Sequence, residues 1–141
     1  MKVLQINAVY NLSSTGRTTT ELHLAMLNKG IDSYVAYSKT NKPGDARLYH
    51  IGSPLDVKLH GLLSRISGEQ AYFSHIATKK LIKHIDAVSP DVVHLRNLHG
   101  NFINFPMLMD CLAKKDIAVV VTFHDFWFIT GKCVYFTESR C

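Results

Sequence analysis

The sequence is poor in proline and cysteine, and it has no long apolar run. With 4 prolines and 8 glycines in 141 residues, it cannot be a proline-rich or glycine-rich linker. No apolar stretch approaches the ~20 residues that a membrane-spanning helix needs. The amino-terminal segment MKVLQINAVYNLSS lacks the long apolar core of a signal peptide. We therefore expect a cytoplasmic protein.

Several nucleotide- and nucleic-acid-binding motifs are also missing. The loop after the first apolar run holds one glycine, Gly16, where a dinucleotide fingerprint has three, and the P-loop sequence G-K-[ST] does not occur. The net charge is +5, but no zinc-finger or RNP-like pattern accompanies it. The densest basic cluster, at 79–84, is interpreted as the solvated face of a helix. We therefore expect no nucleic-acid partner.

Cysteine is scarce, and its count limits the redox chemistry. Three cysteines, an odd number, indicate thiols rather than a disulfide framework in a cytoplasmic chain. Cys111 lies on the apolar side of a predicted helix and is expected to pack in the core. Cys133 and Cys141 supply two thiols, half of the four ligands that a structural zinc site normally has.

What is present is enough for one folded domain. Apolar residues make up 47% of the chain and charged residues 19%, which allows a proper core. Apolar, β-branched segments alternate with segments of helical periodicity. The predicted strands are 2–8, 32–38, 47–51, 91–95 and 117–123, and the predicted helices are 17–28, 54–66, 74–88 and 103–115. This alternation predicts an α/β fold, a Rossmann-like parallel sheet with helices on both faces.

Two of these segments carry further expectations. The run IAVVVTF at 117–123 is continuously apolar, which is typical of a strand buried on both faces of a parallel sheet. In the helix predicted at 54–66, four leucines share one side. They are Leu55, Leu59, Leu62 and Leu63. A hydroxyl side chain of residues 13–15 is expected to cap the first helix.

Polar residues come after the predicted strands, at the edge of the sheet where α/β proteins bind ligands. Gly16 next to a helix start leaves backbone N–H groups open to an anion such as a diphosphate, and Arg17 can add a guanidinium to a phosphate. The alternative is a tight turn beside a surface charge. His99 and Gly100, after the strand DVVHL, are expected in the same cleft.

The pair His124 and Asp125 comes directly after the apolar run at 117–123. A histidine there can donate a hydrogen bond to a sugar hydroxyl or transfer a proton near neutral pH, with Asp125 orienting it or acting as a base. The alternative is a structural histidine packed under an aromatic loop. His94 lies within a strand and is interpreted as a core histidine.

Three segments carry a family resemblance that extends over the whole chain. They are STGR at Ser14–Arg17, DVVHLRNLHGNFIN at Asp91–Asn104 and VTFHDFWFITGKC at Val121–Cys133. Together they resemble the amino-terminal domain of a bacterial family-4 glycosyltransferase of the two-domain GT-B fold, of the type found in polysaccharide gene clusters. The chain departs from that pattern at Thr15, where many relatives have glycine, and at Arg96, where relatives often have histidine.

The resemblance implies a retaining transfer of a sugar from a nucleotide sugar to a hydroxyl acceptor, without a metal cofactor. Residues 1–141 would be the acceptor-side domain, and the donor-binding carboxy-terminal domain would be absent from this chain. Gly16 would approach the donor diphosphate, and His124 would contact the donor sugar at its reacting centre. Asp125, His99 and Gly100 would line the cleft.

The resemblance also concerns the end of the chain and its surroundings. Cys133 and Cys141 match the start of a cysteine-rich stretch, so a structural zinc site would be complete only in the full-length protein. The tail Cys133–Cys141 is expected to be poorly ordered or held by a neighbouring molecule. Association with the inner face of the membrane is left open. We expect the isolated chain to be inactive.

Two other functions remain as alternatives. One is a stand-alone nucleotide- or flavin-binding Rossmann-like module, which would bind a nucleotide by itself. The other is a non-enzymatic interaction domain that uses a basic, aromatic surface. The second alternative predicts no polar cleft at the strand ends, because a small-ligand pocket gathers its polar groups in one place.

Overall fold

The computed structural model describes residues 1–42 and 44–135, and within them the predicted α/β fold is confirmed. The strands are β1 Lys2–Tyr10, β2 Asp32–Thr40, β3 Leu48–His50, β4 Val92–Leu95 and β5 Ala118–Val121. The helices are α1 Ser13–Asn28, α2 Pro54–Ser67, α3 His75–Val88, α4 Phe105–Ala113 and α5 Trp127–Thr130. The sequence indicates a loop after residue 123, so the short helix α5 is an addition to the predicted elements.

The five strands form one parallel sheet in the order β3-β2-β1-β4-β5. Every neighbouring pair is parallel, so Ile6 of β1 lies opposite Ala36 of β2 and Leu95 of β4. The chain reverses its direction across the sheet between β1 and β4. A crevice opens at such a reversal, at the carboxyl ends of the strands, and that is where this architecture binds ligands.

The central strand β1 is buried on both faces. On one face Leu4 and Ile6 are fully buried in the main apolar core, together with residues of α3, β4 and α4. On the other face Gln5 and Asn7 are also buried, and their side chains hydrogen-bond to Thr19 of α1. The pairing of buried amides with α1 satisfies polar groups that would otherwise destabilise the interior.

The expectation that 117–123 is buried on both faces is wrong. The strand β5 lies at the edge of the sheet, and Val119, Val120 and Val121 are between 37% and 48% exposed. Among the described residues, only β4 pairs with it. The segment is apolar, as its sequence shows, but a strand is buried only when other elements cover both of its faces.

Two of the helix expectations also need correction. The first helix begins at Ser13, its cap position is Leu12, and no described side chain caps it, so the predicted hydroxyl cap is wrong. Of the four leucines in α2, three point to solvent (Leu55, Leu59 and Leu62). The start of α2 is stabilised by Ser53 and Asp56, which form a reciprocal capping box.

The cysteines differ from the expectation of free thiols. Cys111 is free and half-buried, but Cys133 takes part in a disulfide, so the thiol prediction is wrong for Cys133. In this state its sulfur carries no thiolate for a metal. Cys141, and residues 136–141 of the predicted poorly ordered tail, lie outside the described residues.

Candidate functional site

A cavity of about 240 Å³ lies at the carboxyl ends of β1, β2 and β4, where the strand order reverses. It is lined by Ala8, Val9, Ser13, Thr15, Ser38, Lys39, Asn97, His99, Gly100 and Phe102. Gly100 adopts a positive φ of 128°, a conformation that a residue with a side chain rarely takes. The structure therefore brings His99 and Gly100 to the predicted edge of the sheet.

The amino terminus of α1 forms one wall of this cavity through Ser13 and Thr15. No described side chain accepts a hydrogen bond from its first N–H groups as a cap, and its first turn holds no acidic residue. The first N–H groups of a helix have no partner within the helix, and together with the helix dipole they attract anions. The wall therefore presents uncompensated positive character to the cavity.

Two buried polar atoms in the cavity wall have no hydrogen-bond partner among the described residues. They are Ser38 Oγ and Asn97 Oδ1. Ser38 is only 6% exposed, and a buried polar group without a partner is destabilising. Both atoms are closed off from solvent in this conformation, and a reversed Asn97 amide would turn its Oδ1 toward His99 Nε2. Sequence reasoning missed both residues, because a serine near the end of a strand and an asparagine in a loop are ordinary at such positions.

Gly16 lies where the start of α1 packs against the end of β1. It is buried and does not line the cavity. A Cβ atom placed on it would lie 3.2 Å from both Asn11 N and Val9 Cγ2, which is tighter than ordinary van der Waals contact. Its missing side chain lets α1 start close against the end of β1. Arg17, the next residue, is exposed and also lies outside the cavity lining.

Arg96 connects α1 with the loop after β5. It is 5% exposed, and its guanidinium donates to Gln5 Oε1 at 3.1 Å and to Thr18 Oγ1 at 2.9 Å. It also lies 3.4 Å from His124 Nε2. By sequence alone, Arg96 stands out only as a departure from the family pattern.

The contact with Arg96 determines the tautomer of His124. A guanidinium has donors only, so Nε2 accepts and the proton of the neutral ring resides on Nδ1. Burial, and next the charge of Arg96, lower the pKa of His124, against a smaller opposing effect of Asp125. His124 is therefore a neutral imidazole at physiological pH, with Nδ1–H as its available donor.

Both carboxylate oxygens of Asp125 contact other residues of the fold. Its Oδ1 accepts a hydrogen bond from the backbone N–H of Trp127 at 3.0 Å, and its Oδ2 lies 3.0 Å from His99 Nε2. The first contact fixes the start of α5, and the second ties the loop after β5 to the loop after β4. Asp125 thus positions His99, and the structure does not place it against His124 as an orienting partner.

His94 lies near this cluster, and its ring bonds to a residue outside it. It is half-buried, and its Nε2 lies 2.8 Å from Thr122 Oγ1. Burial, with Arg96 and His124 nearby, lowers the pKa of His94, which agrees with its interpretation as a structural residue. In residues 1–42 and 44–135, no group of three or more histidine, cysteine, aspartate or glutamate side chains could hold a metal ion.

Two further cavities adjoin each other near α2, α4 and α5. One, of about 430 Å³, has Tyr72, Phe105, Trp127 and Phe128 in its wall. The other, of about 390 Å³, has Ser64, Arg65, Asn101 and Lys132 in its wall. Gly68, Gln70 and Lys132 line both. Asn101 directly follows Gly100 of the first cavity, so the loop after β4 separates that cavity from this pair.

No helix among the described residues is long and apolar enough to span a membrane.

Comparison with known proteins gave a match to one curated relative, the Escherichia coli (strain K12) protein WcaC, whose name assigns it to glycosyl transfer in colanic acid biosynthesis. The two are 22% identical over 148 residues, covering 96% of this chain and 36% of WcaC. The chain thus spans about a third of that relative's length. No solved structure matched significantly. The model of Glycosyltransferase Family 4 matches residues 15–140, and the chain therefore belongs to that family.

Proposed function

We propose that this chain is the acceptor-side domain of a glycosyltransferase of polysaccharide biosynthesis, and that the whole polypeptide continues into a donor-binding domain. The family match supports glycosyl transfer, and the name of WcaC supports the polysaccharide context. The two-domain arrangement is supported by the 36% share of WcaC that the chain spans. The cavity at the strand ends, with Ser13, Lys39 and His99 in its wall, supports small-ligand binding over a pure interaction module.

The observation that carries the proposal is the start of α1 in the cavity wall, where no described side chain caps the helix. A nucleotide sugar carries a diphosphate, and its negative charge increases as the bond to the sugar breaks. Helix N–H groups stabilise such charge without reorganising. Lys39 at the cavity wall adds a cation. We propose this wall as the place where the chain meets the donor diphosphate, with no metal needed for the transfer.

In the proposed reaction, the acceptor hydroxyl oxygen forms a bond to the anomeric carbon, and the bond from that carbon to the diphosphate breaks. The diphosphate leaves with the electron pair, and the hydroxyl proton passes to one of its oxygens. The product retains the anomeric configuration. His124 donates from Nδ1 to a hydroxyl of the donor sugar, and Arg96 keeps the ring neutral and oriented. His99, held by Asp125, closes the cleft on the acceptor side.

The two adjoining cavities support a place for the acceptor. Sugar rings pack on aromatic side chains, and hydroxyl or acidic groups bond to serine, asparagine and basic side chains. The 430 Å³ cavity of the adjoining pair supplies the aromatic wall. The 390 Å³ cavity supplies Arg65, Lys132 and Ser64, whose buried Oγ has no partner in the described part of the chain. Because the loop at Gly100–Asn101 separates them from the diphosphate cavity, an acceptor there reaches toward the donor across that loop.

The test compares this chain with the full-length polypeptide in a sugar-transfer assay with UDP- and GDP-sugars. We expect transfer by the full-length protein and none by the chain alone, because half of the cleft would be missing. Transfer by the isolated 141 residues would refute the two-domain proposal. Calorimetry of the chain with UDP and GDP tests the nucleotide-module alternative, which predicts micromolar binding where we expect weak or undetectable binding.

A further inference from the structure

The two adjoining cavities near α2, α4 and α5 contain cations but no carboxylate. The cavity of about 390 Å³, here called the basic cavity, has Arg65 and Lys132 in its wall. Lys132 also lines the cavity of about 430 Å³, here called the aromatic cavity. No aspartate or glutamate is among the described residues that line either one. Each cavity therefore has a cation in its wall without a carboxylate beside it.

Neither cation is neutralised within the part of the chain that the structure describes. Arg65 and Lys132 are exposed, and in residues 1–42 and 44–135 neither side chain forms an ion pair with a carboxylate. The acidic residue nearest to Arg65 in sequence is Glu69. Gly68, with a positive φ of 78°, ends α2 before that residue, so Glu69 does not continue the helix face that carries Arg65. Both cations are available to an anionic ligand.

The start of α4 also faces the aromatic cavity, through Phe105 and Pro106, but its N–H groups are already bonded. The Phe105 N–H donates to a backbone carbonyl at 2.7 Å, and proline has no N–H. The Met107 N–H donates to the cap residue Asn104 at 2.9 Å. Unlike the start of α1, this helix end offers no unbonded donors, so an anion here depends on the two cations.

The basic cavity exists because the loop after β4 comes close to the middle of α2. Gly61 lies inside that helix, where glycine is destabilising relative to alanine. A Cβ atom on it would lie 3.3 Å from Asn101 Nδ2, which is tighter than ordinary van der Waals contact. The missing side chain lets the loop and the helix share one cavity wall. Gly100, one residue earlier, lines the diphosphate cavity, so a ligand in the basic cavity lies next to that site.

The aromatic wall is fixed in place beside the cations. Trp127 is 4% exposed, and its Nε1–H donates to Gln70 Oε1 at 3.2 Å. The ring of Phe105 meets the Trp127 ring edge to face, with the ring centroids 5.7 Å apart. Gln70 and Lys132 line both cavities, so the aromatic and basic walls are contiguous. A substituent of a sugar ring that packs on the aromatic wall can therefore reach the cations.

We propose that the acceptor of this glycosyltransferase is an acidic saccharide, in which a sugar ring carries a carboxylate, and that Arg65 and Lys132 determine this specificity. The inference rests on the proposed function, in which these cavities bind the acceptor. A guanidinium donates two parallel hydrogen bonds to a carboxylate, and an ammonium group adds a compact charge. A neutral acceptor would gain no ionic contact from either residue.

The first test is an NMR titration of the chain with methyl glucoside and methyl galactoside and with the corresponding methyl uronides. Each pair differs only by a carboxylate in place of a hydroxymethyl group. The reporter is the indole N–H of Trp127, the single tryptophan of the sequence. We expect the uronides to bind about fivefold more tightly or better, because hydrogen bonds to charged groups are the stronger ones. Added salt should reduce the difference.

Two results of this titration would overturn the proposal. One is equal affinity for the neutral and acidic glycosides, or no binding of the uronides. The other is tighter binding of methyl glucoside 6-phosphate than of either uronide, which would assign the cations to a phosphate.

The variants separate a local contact from the effect of net charge. Arg65→Gln/Lys132→Gln should remove the preference for the uronides and leave binding of the neutral glycosides unchanged. The matched control Lys58→Gln/Lys114→Gln removes the same charge at exposed positions outside both cavities and should keep the preference. Circular dichroism and thermal melts verify that both variants are folded. An equal loss of preference in the control would contradict a site at Arg65 and Lys132.

Sugar transfer by the full-length polypeptide distinguishes this inference from the proposed function. Faster transfer to acidic acceptors, lost in Arg65→Gln/Lys132→Gln through a higher KM with little change in kcat, would support both. Equal transfer to acidic and neutral acceptors would keep the proposed function and overturn the acidic acceptor. Binding of the uronides by the chain, without any transfer by the full-length protein, would support the carboxylate site and refute the proposed transfer.

Discussion

The strands β1 and β5 are both rich in apolar residues but have opposite surroundings. Both contain apolar, β-branched runs, but β1 pairs with β2 and β4 and is covered on both faces, whereas β5 pairs with β4 and exposes its valines. The difference shows that an apolar run indicates only that a strand can be buried. The position of the strand in the sheet decides whether it is buried.

The two strands also differ in the loops at their carboxyl ends. The loop after β1 leads into α1, where Gly16 provides close packing, while the loop after β5 provides His124 and Asp125. The centre of the sheet thus holds the packed core and the cavity at the strand ends, and the edge strand leads to the candidate residues His124 and Asp125. Substitutions in the two regions should therefore change different properties.

The largest expected effect is on stability, from truncation of the central strand. Ile6→Ala removes a fully buried side chain and should lower the free energy of unfolding by about 2–5 kcal/mol. Urea denaturation monitored by circular dichroism measures it. A loss below that of an exposed site would contradict the assignment of β1 to the core.

The buried side of α2 should make stability depend on pH. Burial, with the nearby His75, lowers the pKa of His60 to about 4, from an unfolded value near 6.5. The unfolded state therefore binds more protons between these values, so stability is complete above about pH 6.5 and decreases as the pH falls toward 4, by up to about 3 kcal/mol. Urea midpoints measured across this range should decrease. His60→Gln should flatten the dependence, and an unchanged slope would assign it to other histidines.

Activity should respond to the loop after β5. In the full-length enzyme, His124→Ala should lower kcat by about 100- to 1,000-fold, the usual effect of losing one positioned donor. The thermal midpoint should change little, since His124 is only half-buried. Steady-state kinetics and a thermal melt, compared with the control Leu24→Ala, separate the two effects. Unaltered turnover would remove His124 from the reacting centre.

The link between the centre and the edge can be tested through Arg96. Replacing it with glutamine removes a charge that lowers the pKa of His124. We expect that pKa to rise toward its usual value, measured by NMR titration of the ring protons. A fall, or no change, would contradict the direct contact between Arg96 and His124.

The smallest effect is expected in the edge strand. Val120→Ala should cost less than about 1 kcal/mol in the free energy of unfolding, because the side chain is 48% exposed and already contacts water. The same urea experiment as for Ile6→Ala provides the comparison. A cost equal to that of Ile6→Ala would mean that β5 is covered in solution.

Much of the fold was predictable because its elements obey local rules. The predicted strand at 91–95 and helix at 74–88 each lie within a residue of β4 and α3, since alternation and helical periodicity depend on neighbouring residues. The predicted site residues His99 and Gly100 could be placed because a parallel sheet brings all its strand ends to one edge. Local patterns did not reveal Ser38 or Arg96, whose surroundings come from segments distant in sequence.

The sequence by itself determined the order of strands and helices, the parallel sheet and the loops that meet at its carboxyl edge. Only the tertiary structure decided which apolar surfaces are covered and which polar groups meet. It turned the leucines of α2 outward, left β5 at the edge and buried Arg96 between α1 and His124. The physical reason is that periodicity is a property of a segment, whereas burial and pairing are properties of its neighbours.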